Sequence, residues 1–183
     1  MRAFVSVDLG GFEAAVESVQ HEFAEVSGLD FVPPETVHVT LSFLGDVAAK
    51  RLPTVTEAIG DAVAESGASP FEAEFGGLGV FPSREYIRVL WIGLGEGSEE
   101  LTRLHERIEA RIAELGFEPD EHDFTPHATI ARMRHAGGKR LVQEKLDDLD
   151  PAVGTMTVEE VRLTESTLTD EGPVYETVER FEL

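Results

Sequence analysis

Apolar positions along the chain fall into stretches of period two alternating with stretches of helical period. Arg2 to Leu9, with Phe4, Val5 and Val7, predicts a first strand. Phe12, Ala15, Val16, Val19, Phe23 and Val26 share one stripe and predict a helix over Phe12–Val26, stopped at Gly28. Pro33-Pro34 breaks the chain before a strand over Thr36–Leu44, ended by Gly45-Asp46. Leu52, Val55, Ile59 and Val63 predict a second helix between Ala49 and Glu65, with Pro53 tolerated only in its first turn. A sheet-like stretch, Phe71–Val80, meets the strongest strand, Tyr86–Leu94, across a turn at Phe81–Arg84. Ser98 reads as the N-cap of a helix carried by Leu101, Leu104, Ile108, Ile112 and Leu115 to Gly116. Asp123–Met133 is a further strand, Lys139–Leu149 a short helix, and Thr155–Thr164 and Pro173–Phe181 two terminal strands.

Strand pairs lie back to back in the middle and at the C-terminus, which a simple parallel βαβ series does not produce. The pattern predicts an α+β fold with mainly antiparallel sheets. A length of 183 residues suits one domain, or two small lobes sharing a core. A weak internal duplication favours two pseudo-symmetric lobes facing a central cleft, with helices outside. A His-x-Thr strand occurs in each half, at His38 and His127, 89 residues apart (127 − 38).

Composition narrows the chemistry. The absence of cysteine excludes disulfides, thiolate metal sites and cysteine nucleophiles. Acidic residues number 36 against 15 basic ones, a formal net charge of −21, and only Lys50, Lys139 and Lys145 are lysines. In dilute salt such a surface repels itself and any polyanion. At molar salt the screening length falls to about 3 Å, and the composition reads as adaptation to a salt-rich cytoplasm, although an ordinary acidic protein has the same signature. The charge argues against a broad duplex-binding footprint. No signal-peptide core precedes the first strand and no apolar run approaches the roughly 18–20 residues of a membrane helix, so a soluble, cytoplasmic protein with no membrane association is expected. No signal for a protein partner stands out.

In a strand, side chains alternate between faces, so His38 and Thr40 share one face about 6.7 Å apart, while Val39, Leu41 and Phe43 turn into the core. His127 and Thr129 repeat the arrangement, with Ala128 and Ile130 behind them. If the lobes face each other, two imidazoles and two hydroxyls converge. One neutral imidazole accepts a proton from attacking water and one protonated imidazole gives a proton to the leaving oxygen, both forms being accessible near the unperturbed pKa of about 6.5. The threonines donate to phosphate oxygens as charge shifts in the transition state. No metal or cofactor is required. Either histidine alone would be uninformative; the repeated geometry carries the reading.

These stretches, His38-Val39-Thr40-Leu41-Ser42-Phe43-Leu44-Gly45 and His127-Ala128-Thr129-Ile130-Ala131-Arg132, resemble the paired signature of the 2H phosphoesterase superfamily, in its RNA 2′,3′-cyclic phosphodiesterase (2′-5′ RNA ligase) branch. Arg2-Ala3-Phe4-Val5-Ser6-Val7, Phe81-Pro82 with Arg88-Val89-Leu90-Trp91, and Phe124-Thr125-Pro126-His127 extend the likeness. The resemblance implies opening of a terminal 2′,3′-cyclic phosphate to a 2′-phosphate on RNA, with tRNA halves as a natural class and 2′-5′ joining as the reverse reaction. It makes His38 the proton donor, His127 the acceptor, and Thr40 and Thr129 the phosphate holders. It also places Arg132 at the phosphate, whereas strict alternation sends Arg132 to the opposite face.

Rival readings are a 2H enzyme for a small cyclic nucleotide or a 2′-5′ oligonucleotide, and a non-catalytic RNA-end binder. Arg132–Arg140 is a basic island that serves either an RNA backbone or plain solvation. His21 and His105 read as bystanders, His122 lacks metal-ligand spacing, and Gly76-Gly77-x-Gly79 reads as a flexible turn rather than a phosphate loop.

Overall fold

The computed structural model describes residues 1–183, as nine strands and four α-helices. In chain order these are β1 (Arg2–Asp8), α1 (Glu13–His21), β2 (Leu29–Phe31), β3 (His38–Asp46), α2 (Leu52–Glu65), β4 (Phe71–Pro82), β5 (Ile87–Leu94), α3 (Ser98–Glu114), β6 (His127–Met133), α4 (Lys139–Asp148), β7 (Ala152–Val158), β8 (Glu160–Thr169) and β9 (Gly172–Glu182). The strands form one curled sheet ordered β7-β4-β5-β6-β3-β1-β8-β9, with β2 also on β6. Every pairing is antiparallel.

Two four-stranded halves meet at β3 and β6, which share a single ladder pair, Val39 with Ala128. Both residues are fully buried. Helices α2 and α3 pack against one another, and α3 also lies on β3; α1 lies on β6 and β7. Between helices and sheet runs one apolar core that includes Val39, Leu41, Ile108, Ile112, Ala128 and Ile130. The expected α+β fold of two antiparallel halves with outer helices is therefore found.

Several sequence expectations need correction. The stripe to Val26 is not all helix: α1 ends at His21, and the residues after it bond at shorter spacing, with Phe23 N–H donating to Gln20 and Val26 N–H to Phe23. Phe23 and Val26 stay buried, which is why the stripe ran on. Ser98 is the first helical residue of α3, not its N-cap; Gly97 takes that position at φ +92°, and Ser98 donates back to the carbonyls of Gly95 and Leu94. The predicted strand from Asp123 begins only at His127, and the first terminal strand is two strands, β7 and β8. The short β2 carries no periodic signal. Gly76-Gly77-x-Gly79 lies inside β4 rather than in a turn. A Cβ on Gly79 would come within 2.1 Å of the Trp91 ring, so this glycine is the floor on which the indole rests.

Each half carries a bulge at the same place. On β3, Val5 pairs with Ser42 and Ser6 with Thr40, leaving Leu41 as the extra residue. On β6, Leu90 pairs with Ala131 and Trp91 with Thr129, leaving Ile130 extra. Leu41 and Ser42, and likewise Ile130 and Ala131, are consecutively buried, as a bulge requires. At each bulge the carbonyl of the extra residue accepts from a helix side chain. Leu41 O accepts from His105 Nδ1 on α3 at 2.7 Å, and Ile130 O accepts both from Gln20 Nε2 on α1 at 3.0 Å and from Val32 N–H at 2.9 Å. His105 is thus an anchor rather than a bystander, its ring stacked 4.1 Å from that of Phe124. Gln20 is 7% exposed and also donates to Val32 O at 2.7 Å. Replacing Gln20 by Ala removes both of its hydrogen bonds, although Ile130 O keeps that from Val32 N–H, and should lower unfolding free energy by about 1–2 kcal/mol. Denaturant titration at constant m-value checks this; an unchanged midpoint would remove Gln20 as the bulge anchor.

Candidate active site

The β3–β6 junction builds the site. Val39 and Ala128 face the core, so their neighbours on either side face outward together. One step along the register each way sets His38 across from Thr129 and Thr40 across from His127. All four side chains are half-buried. They surround a local two-fold axis through the Val39–Ala128 pair, each histidine beside the other motif's threonine.

Both imidazoles are held in the same way. His38 Nδ1 lies 2.8 Å from Thr36 O, and His127 Nδ1 lies 2.6 Å from Thr125 O. A carbonyl only accepts, so Nδ1 carries hydrogen and Nε2 is left for proton exchange. Burial lowers the pKa of both rings below the ordinary histidine value, while the carbonyl bonds partly oppose it. The Asp8 carboxylate further supports charge on His38 and Arg132 opposes it; at His127, Arg132 and His38 both oppose it.

The bulges settle where the next residues point. The extra residue at Ile130 restores Arg132 to the face of His127 and Thr129, against the prediction of strict alternation. Arg132 is exposed, enters none of the ion pairs, and influences both histidines. The bulge at Leu41 likewise turns Phe43 outward; it is 66% exposed and not in the core, contrary to the alternation reading.

Aromatic rings flank each imidazole, and only part of this could be expected. Phe4 stacks on His38 with centroids 4.8 Å apart, and Tyr175 meets His38 edge-on at 5.5 Å. Phe81 meets His127 edge-on at 4.8 Å, with Trp91 at 5.8 Å. Trp91 Nε1 is buried without a hydrogen-bond partner, so packing on Gly79 and Phe81 fixes this ring. Periodicity could not identify Tyr175 or Asp8 as neighbours of His38, because both arrive through pairings distant in sequence.

The basic island is neutralised in part. Arg134 pairs with Asp30 at 2.9 Å, Arg140 with Glu144 at 3.2 Å, and Lys139 donates to Glu85 O at 3.1 Å. Three His, Asp or Glu side chains nowhere converge in a metal-binding group, and His122 contacts only Asp120.

The sequence pattern of the 2′-5′ RNA ligase superfamily matches residues 11–170, which include both His-x-Thr strands. The chain belongs to this family. Similar proteins include the RNA 2′,3′-cyclic phosphodiesterases of Methanothermobacter thermautotrophicus and Archaeoglobus fulgidus. Each is 36% identical across 100% of this chain, covering 99% and 100% of its own length respectively. A Thermus thermophilus crystal structure superposes with a TM-score of 0.83 at 30% identity, over 100% of this chain and 98% of that one. E. coli LigT complexed with 3′-AMP shares the fold at a TM-score of 0.74 and 21% identity, over 100% of this chain and 96% of its own. A member of the 2′-5′ RNA ligase superfamily thus presents its duplicated motif on two bulged strands meeting at one axis.

Proposed function

We propose that this protein hydrolyses 2′,3′-cyclic phosphate ends of RNA to 2′-phosphomonoesters, by proton transfer between two histidines and without a metal. The observation that carries the reading is the ring of His38, Thr129, His127 and Thr40 about the β3–β6 axis. His127 Nε2 takes a proton from water as the water oxygen bonds to phosphorus. The bond from phosphorus to O3′ breaks, and O3′ receives the proton from His38 Nε2. The Thr40 and Thr129 hydroxyls donate to the non-bridging oxygens, and Arg132 adds positive charge to the same face. Names carried by relatives 36% identical over the full chain support this substrate class.

When the 5′-hydroxyl of a second RNA takes the place of water, His127 accepts its proton as its oxygen bonds to phosphorus, O3′ departs with the proton from His38, and the two RNAs are joined through a 2′-5′ linkage. The natural substrates are RNA fragments such as tRNA halves, and the site works in a salt-rich cytoplasm where the net charge of −21 is screened.

The test mixes the full chain with a cyclic-ended oligonucleotide in concentrated KCl and excess EDTA. A 2′-phosphate end should accumulate. Loss of turnover on adding EDTA, or tight binding with no product, would overturn the reading.

A further inference from the structure

A site built on a two-fold axis does not by itself distinguish acid from base. The two imidazoles have matching strands, matching carbonyl anchors and matching threonine neighbours. Something off the axis must separate them. The ladders beside the two histidines differ in charge at the register position of the histidine itself. Asp8 of β1 is paired with His38, whereas Gly93 of β5 is paired with His127, and Gly93 is in turn paired with Gly76. One imidazole has a carboxylate next to it; the other has two residues without side chains.

We propose that Asp8 gives the histidines their separate roles: across the β1–β3 ladder from His38, with no acidic counterpart beside His127, it keeps the proton on His38 and leaves His127 as the base. This rests on the acid–base reading of the site given above. Asp8 does not touch the reacting atoms and is a positioning residue.

The surroundings of Asp8 hold it in place. Arg162 of β8 binds Asp8 Oδ2 through Nη1 at 2.5 Å and Glu160 through Nε at 2.6 Å. Arg180 of β9 binds the same Glu160 oxygen at 2.8 Å. Ser6 donates to the other Asp8 oxygen at 3.4 Å. Charges therefore alternate outward across the sheet, Asp8 to Arg162 to Glu160 to Arg180. Arg162 fixes the carboxylate while reducing the field that it exerts on His38. His38 is faced in addition by Arg132 and His127 from β6 and by the ring of Tyr175 from β9, and Thr36 O holds its Nδ1. Of these side chains, only Asp8 carries negative charge.

Histidine-ring NMR on the full chain tests this, with signals assigned from His38→Ala and His127→Ala. Asp8→Asn should lower the His38 titration midpoint by about 1 pH unit and move His127 much less. Arg162→Gln should move His38 the opposite way, upward, because it leaves the carboxylate less compensated. In turnover, Asp8→Asn should reduce kcat about tenfold at pH values above the His38 midpoint, with KM within about twofold. Asp8→Glu should restore both readouts. Midpoints that stay put in both variants, or that move equally for the two histidines, would overturn the proposal. The titrations are readable whether or not RNA is hydrolysed, so failure here is separable from failure of the proposed function.

Discussion

Replacing either His38 or His127 by Ala reduces turnover on a cyclic-ended oligonucleotide by about 10²–10⁴-fold, with the fold intact. Each imidazole presents only Nε2 to the cleft, because Nδ1 is bound to the carbonyl of Thr36 or Thr125. Removing one ring therefore deletes one proton transfer completely, and no neighbouring side chain is placed to substitute. Asp8 is on the wrong ladder position to serve O3′, and His105 is tied to Leu41 O on the core side. Both rings are half-buried at the surface of the sheet, so their removal opens no core cavity. The double variant should be little worse than the worse single one, since the two transfers act as a unit. Rapid-quench assays on the three variants, with circular dichroism as a fold control, provide the measurement. Full activity in either single variant would exclude the two-histidine mechanism.

Thr40→Val and Thr129→Val should each lower kcat by about 10²–10³-fold and leave KM within a few-fold. Valine keeps the branched shape that suits a strand and loses only the hydroxyl donor. Charge on the non-bridging oxygens changes as phosphorus becomes five-coordinate, so a donor aimed there contributes more in the transition state than in the bound substrate. Each threonine sits across from the other motif's histidine, so the two variants should fall by similar amounts, and Thr→Ser should recover most of the loss. A rise in KM at constant kcat would show that the hydroxyls only bind substrate.

The halves of this fold were legible in the sequence because both are written in the same period. Two His-x-Thr strands 89 residues apart, each with apolar residues behind it, mark the candidate site's face without any tertiary information. Counting by twos failed at the first residue beyond each bulge. Leu41-Ser42 and Ile130-Ala131 are both buried in sequence, and the register slip reverses the side assignment for Phe43 and Arg132. A signal was nevertheless present: laid over each other at the 89-residue offset, the motifs put a hydrophobic Phe43 on the position of a charged Arg132. A position that tolerates arginine in one half is a poor candidate for the core in the other. Asp8, Tyr175 and Phe81 were illegible as neighbours of the histidines for a different reason. Their placement depends on which strands pair and in what register, and local pattern does not contain that. Helix α1 shows the converse error, where burial kept its period after the hydrogen bonding had changed.

The bulge anchors were also beyond sequence reading, and they differ between the halves. A histidine from α3 and a glutamine from α1 satisfy the same carbonyl position in the two strands. The strand geometry is alike in the two halves while the side chain that secures it is not.

The axis through Val39 and Ala128 has a consequence for how a nucleic acid enters. A half-turn about it exchanges the attacking and departing positions, so the four central side chains alone would accept a chain end from either direction. Polarity must be read further out. On one flank stand Phe4, Tyr175 and the outward ring of Phe43; on the other stand Phe81 and Trp91, with Arg132 beyond them. The centre of this enzyme is ambidextrous, and its handedness toward RNA resides in the unlike walls that the two halves place around it.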